Sequence, residues 1–185
     1  MRSMIRLLLA AMMMTVLTAV CFTQPAMAGD AAKLDRAADK ALKKLYANNP
    51  AAMELSKVAK AVLVFPVMTK VGLIYGAQYG EGVLRIDGKT AGYYNSITAS
   101  YGLQAGAQKF AYALFIMDTA SLEYLNNSAG FEVGVGPSVV IVDEGMAKSL
   151  TTTTTKEGIY AFIYGQKGLM AGLGLQGTKI TRINP

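Results

Sequence analysis

The sequence predicts an α+β fold: N-terminal helices followed by a strongly curved, glycine-rich antiparallel sheet, rolled into a partial or closed barrel. Three observations predict it. Helical periodicity leads the chain and returns only once, after which short β-type runs and tight turns alternate without a strand–helix–strand rhythm. Glycines recur at even spacings, at Gly72, Gly76, Gly80 and Gly82, at Gly102 and Gly106, and at Gly130, Gly134 and Gly136. Near the C-terminus, period two puts Leu169, Ala171, Leu173 and Leu175 on one strand side and Gly168, Gly172 and Gly174 on the other. Glycine inside a strand costs stability and marks bending or close backbone approach, so four strands sharing it imply a tightly bent sheet with a nearly bare face.

The first residues read as a processing signal. Arg2 and Arg6 form a basic start, Leu7–Val20 is an apolar run, and Ala26-Met27-Ala28 is a small-x-small cleavage site. The run is short for a membrane span. Residues 1–28 are therefore expected to be a signal peptide cleaved after Ala28, leaving one domain, 29–185, exported to the periplasm or envelope. Cys21 follows Val20, a poor fit to a lipobox, and is expected to leave with the signal rather than carry lipid.

That cleavage removes the single cysteine of a chain that has no histidine. Disulfides, thiolate nucleophiles, imidazole bases and ordinary zinc or copper sites go with it. No cofactor or metal site is expected, and no enzyme. Asp143 and Glu144 are the only adjacent carboxylates, and they fall in a turn rather than facing each other across a cleft. The glycine-rich turns match neither a Walker sequence nor a strand–GxGxxG–helix unit. The formal charge falls from +6 to +4 without Arg2 and Arg6. That mild excess suits an anionic surface and falls short of a nucleic-acid binder's charge density.

In order, Ala31–Ala47 reads as a helix with Asp30 as its cap and Asn48-Asn49-Pro50 as its stop. Leu34, Ala38, Ala41, Leu42 and Leu45 gather on one face, and Lys33, Arg36, Lys40, Lys43 and Lys44 form a stripe turned away from it. The stripe is either a surface for anionic lipid headgroups or the solvated back of a packed helix. Ala51–Lys60 reads as a second helix. Ala61–Phe65 is a buried strand closed by Pro66, and Val71–Tyr79 and Gly82–Ile86 are further strands. Asp87-Gly88 signals a two-residue hairpin into Thr90–Ser100. Leu103–Met117 continues the sheet, Asp118–Asn127 is the helical interruption, and Gly130–Val135 and Ser138–Val142 are strands. Asp143-Glu144-Gly145 is a turn, and Thr151–Thr155 is an edge strand or polar loop. Gly158–Tyr164, Leu169–Gln176 and Lys179–Ile183 complete the sheet.

Val64-Phe65-Pro66, the run Gly72-Leu73-Ile74-Tyr75-Gly76-Ala77-Gln78-Tyr79-Gly80-Glu81-Gly82-Val83-Leu84, Gly102-Leu103-Gln104-Ala105-Gly106-Ala107-Gln108, Gly136-Pro137 and the closing run Tyr164–Leu173 resemble the SYLF domain, from about Leu45 to Ile183. The resemblance implies a lipid-binding module. Eukaryotic relatives associate with phosphoinositide membranes, largely through a basic, amphipathic segment at the domain's N-terminal end, and some associate with actin. Here that segment corresponds to the helix carrying Lys33, Arg36, Lys40, Lys43 and Lys44. An exported chain meets neither cytosolic actin nor cytosolic phosphoinositides, so the expected partners are anionic phospholipids of the envelope, such as phosphatidylglycerol, cardiolipin or lipid A phosphates. The alternative is a periplasmic structural or protein-interaction module without a lipid ligand. Glu81 and Lys167, each beside a glycine, are candidates for a polar pair at a ligand mouth or for plain turn residues. Gln104 and Gln108 either reach a ligand inside the curve or satisfy each other.

Overall fold

Pro25 opens α1, Pro25–Asn48, where its missing N–H costs no hydrogen bond. A computed structural model describes residues 25–72, 75–101, 106–127, 131–132, 137–142, 158–169 and 178–185. Leu34–Asn184 form one compact unit; residues before Leu34 belong to another, described from residue 25 as the opening turns of the helix. The expected start at Asp30 is corrected. Asp30 lies inside the helix, because the alanine-rich residues before it are strong helix formers. The stop is as expected: Asn48 Nδ2 donates to the Lys44 carbonyl at 2.7 Å. Asn49 then caps α2, Pro50–Val58, by accepting from the Ala52 amide at 3.1 Å.

Among the described residues eight strands follow: β1 Ala61–Gly72, β2 Tyr75–Ile86, β3 Lys89–Tyr101, β4 Gly106–Ile116, β5 Phe131–Glu132, β6 Val139–Ile141, β7 Ile159–Leu169 and β8 Thr178–Ile183, with α3, Thr119–Asn127, after β4. They make one strongly curled half-barrel in the order β5-β8-β3-β2-β1-β4-β7-β6. Asp87 and Gly88, both at positive φ, turn the expected hairpin between β2 and β3. The Asp118 carboxylate accepts from the Ser121 amide at 2.7 Å and starts α3.

Three expectations are corrected. The sheet is not wholly antiparallel, since β6 lies parallel to β7; the chain between Ile141 and Ile159 is long enough for the crossover this requires. Val71–Tyr79 is not one strand, because Gly72 pairs with Gly76 and the chain reverses between them. Finally, Pro66 does not end its strand. The register of β1 slips between Val64 and Val67 against β2, and between Phe65 and Met68 against β4. A bulge at that point lets a residue without an N–H pass through the middle of a sheet.

The bulge bends three strands together, for β4 and β7 also lose register between Lys109 and Ala111. Opposite it, a Cβ on Gly82 would lie 2.6 Å from Phe65 Cδ1 and 2.7 Å from the Val64 carbonyl oxygen. The bare backbone of β2 is what lets Phe65 lie flat across it. Inside the curl, Leu63, Phe65, Met68, Leu84, Tyr112 and Leu114 pack with Leu125 of α3, and the Phe65 and Tyr112 rings stack at 5.8 Å. The outer face of the same half of the sheet, Val62, Val64, Val83, Phe115 and Phe162, is covered by Ala38, Leu42 and Leu45 of α1 and Leu55 of α2. Expectations for Gly102, Gln104, Gly134, Gly136, Asp143, Glu144, Thr151–Thr155, Gly172, Gly174 and most of the Leu169–Gln176 strand lie outside the described residues, as does the signal up to residue 24.

Candidate functional site at the bend of the sheet

The bend and α1 enclose a groove of about 340 Å³. Its floor is apolar, from Ala41 of α1, Pro66 and Val67 of the bulge, and Ala111 and Tyr164 of the neighbouring strands. Its rim carries four ammonium groups, Lys40 and Lys44 from one face of α1, Lys109 from β4 and Lys167 from β7. Lys109 and Lys167 are register partners. Gly165, at φ +67°, turns the β7 backbone under Lys44, whose Nζ would lie 3.5 Å from a Cβ placed there. No carboxylate lines the groove among the described residues. Tyr164 contributes a buried hydroxyl with no hydrogen-bond partner among the described residues. Burial, and then the neighbouring Tyr46, push that phenol's pKa up, so it stays a donor.

Four like charges around an apolar floor attract and orient an anion with a greasy attachment. Two other grooves differ in chemistry. One, of about 420 Å³, holds Lys43, Lys57, Lys60 and Arg85 together with Asp39 and Asp87, so its cations are offset in part by carboxylates. The other, of about 570 Å³, runs along the end of α1 and β7 with Lys44 as its one cation among the described residues.

The structure thus divides the expected site residues. Lys40, Lys44 and Lys167 converge. Lys43 faces the mixed-charge groove, and Arg36 is exposed elsewhere on α1. Lys33 is exposed in the N-terminal unit. Glu81 does not meet Lys167: strands β1 and β4 separate theirs, and the Glu81 carboxylate instead accepts from the Tyr79 hydroxyl at 2.7 Å. That bond, more than burial, raises the Tyr79 pKa to about 12. Gln108 points into the curl. It belongs to a buried polar row, Thr178–Thr98–Gln78–Lys70–Gln108, one residue from each of five adjacent strands. Within it the two threonine hydroxyls share a 2.7 Å hydrogen bond, and burial lowers the Lys70 pKa. Sequence reasoning missed Lys109. Lys109 carries no local signal, and only the register that sets it beside Lys167 reveals it.

Residues 97–184 match the model of the Ysc84 family, described as Las17-binding protein actin regulator. That match is consistent with a SYLF domain over the segment. A comparison with curated proteins finds no match. The SYLF match begins in β3 and takes in Lys109, Tyr164 and Lys167, while Lys40, Lys44 and the Pro66 bulge precede it. The groove is therefore assembled from the matched segment and the helix and strand ahead of it. Among the described residues no group of three or more metal-ligating side chains converges, and no helix is long and apolar enough to cross a membrane.

Proposed function

We propose that the protein binds anionic phospholipid at the surface of the bacterial envelope, without catalysis, after export and cleavage of residues 1–28. The observation that carries this reading is the ring of Lys40, Lys44, Lys109 and Lys167 around an apolar groove with no described carboxylate in its wall. A phosphate headgroup satisfies the ammonium groups, and the first methylenes of an acyl chain suit the floor. The signal-like N-terminus supports the location. Because cytosolic actin is out of reach of an exported chain, the actin-regulating description of the family is not carried over.

Co-sedimentation with vesicles tests this. Binding is expected to require phosphatidylglycerol or cardiolipin and to weaken as salt rises. Each basic residue near an anionic surface contributes about 1 kcal/mol. Replacing all four lysines with alanine is therefore expected to weaken binding roughly a thousandfold. Equal binding to neutral phosphatidylcholine vesicles, or full binding by the four-alanine variant, refutes the proposal.

A further inference from the structure

The helices cover only half of the sheet's outer face, and the other half is unusually apolar for a surface in water. Four of the seven large hydrophobic side chains exposed among the described residues, Val67, Val71, Tyr79 and Ile97, lie on it. Register places them together. Across the outermost row, Val71 has Ala77 on one side and Ala107 on the other, and Ala77 has Ala99 beyond it, all exposed. The next row reads Lys179–Ile97–Tyr79–Thr69–Lys109–Lys167 from β8 to β7. An antiparallel strand with one solvated face ordinarily alternates polar residues onto it. Here four adjacent strands put alanine, valine, isoleucine and tyrosine there, and lysines flank this stretch on both sides, with Glu132 of β5 the register partner of Lys179 beyond it.

From this pattern we infer that the uncovered outer face of β1–β4 is the surface that lies flat on an anionic bilayer. The inference rests on the lipid-binding reading and specifies its geometry. Val71 and Ile97 meet the boundary between headgroups and acyl chains. The Tyr79 ring suits that depth, apolar in body and polar at its tip. Lys109, Lys167 and Lys179 run their stems along the apolar surface and place their charges among phosphates. The face shares Val67, Lys109 and Lys167 with the groove, so a bilayer against it presents headgroups directly at the groove's mouth. Within β1–β4 the face's one described carboxylate, Glu81, is already engaged by the Tyr79 hydroxyl. A contiguous exposed apolar patch rimmed by charge marks a docking surface, and the sign of that rim selects an anionic partner.

The chain contains no tryptophan, so single reporters are unambiguous. Val71→Trp and Ile97→Trp place a probe on the face, and Val58→Trp places one on exposed α2. With vesicles of mixed phosphatidylglycerol and phosphatidylcholine, the first two are expected to shift emission to shorter wavelength and to be quenched by brominated acyl chains, and the third to do neither. Ile97→Asp with Val71→Asp is expected to weaken vesicle binding at least tenfold with an unchanged melting temperature, both positions being exposed. If all reporters co-sediment and only Val58→Trp is quenched, this orientation is overturned while lipid binding stands. Unchanged binding by the double aspartate variant, with capture of a protein partner through the face, also overturns it. No co-sedimentation of the parent protein overturns both readings.

Discussion

The Arg85 guanidinium lies 2.7 Å from the Asp39 carboxylate and 3.3 Å from that of Asp35, tying β2 to two successive turns of α1. Asp35 also accepts from Thr90 Oγ1 at 2.8 Å and from the Tyr93 hydroxyl at 2.9 Å. These contacts fix the rotation of α1 about its axis, and so which lysines face the groove. Arg85→Ala is expected to lower stability by about 1–2 kcal/mol, a modest figure because Asp39 is largely solvated. Denaturant melts measure it, and a loss below 0.3 kcal/mol, on the order of an isolated surface pair, contradicts the role given to Arg85.

The close approach of Phe65 to the β2 backbone predicts a second stability effect. Gly82→Ala must displace a ring and a carbonyl at once, at about 2–3 kcal/mol. Gly29→Ala is the counterpart: nothing lies within 4 Å of the added carbon, and after cleavage the position is the first of the chain, where helix propensity carries little weight. Thermal melts should show a clear loss for Gly82→Ala and no change for Gly29→Ala.

Tyr112 sets the alkaline limit. Its hydroxyl is buried with no partner among the described residues, and burial pushes its pKa up. Below about pH 10 the phenol is neutral folded or unfolded and contributes no pH dependence. Above it the unfolded chain ionises first, so stability falls as pH rises, by about 1.4 kcal/mol per such tyrosine at pH 11. Buried Lys70 has the opposite slope, since its lowered pKa makes stability rise with pH up to about 10.5. Tyr112→Phe is expected to raise stability at neutral pH by about 1 kcal/mol and to flatten the decline above pH 10. Unfolding curves from pH 7 to 11 show either both changes or neither.

Not all basic residues of α1 are equivalent for binding. Lys44→Ala with Lys167→Ala is expected to weaken anionic-vesicle binding roughly 30-fold, about 2 kcal/mol. Arg36→Ala with Lys43→Ala removes the same charge away from the groove, and a loss of fivefold or less is expected. Equal losses from the two pairs would mean that net charge, rather than the groove, governs adsorption.

The parts of the fold that local chemistry dictates were legible from the residues. Asp87-Gly88 named its own turn, Asn48-Asn49-Pro50 named a helix end, and the paired glycines 80 and 82 announced a crowded backbone. Pro66 misled because it stops a strand locally, and only the neighbouring strands reveal that a bulge absorbs it. The turn between Gly72 and Gly76 carries no Asn-Gly or Asp-Gly and so read as continuous strand. The site was half legible. A helical wheel finds Lys40 and Lys44 together, but their meeting with Lys109 and Lys167 depends on the slipped register of β4 and β7, which no periodicity encodes.

A sheet left unclosed offers its outer strands to other chains, and adsorption on a vesicle would crowd many copies edge to edge. Among the described residues one edge of this sheet is β6, whose three residues pair with Ile159–Ala161 and leave the rest of β7 as edge. Gly165 and Gly168, both at positive φ, break that stretch, and Lys167 charges it, which gives an incoming chain a poor template for an intermolecular ladder. Densely loaded vesicles should accordingly carry a mosaic of separate molecules and bind no amyloid dye.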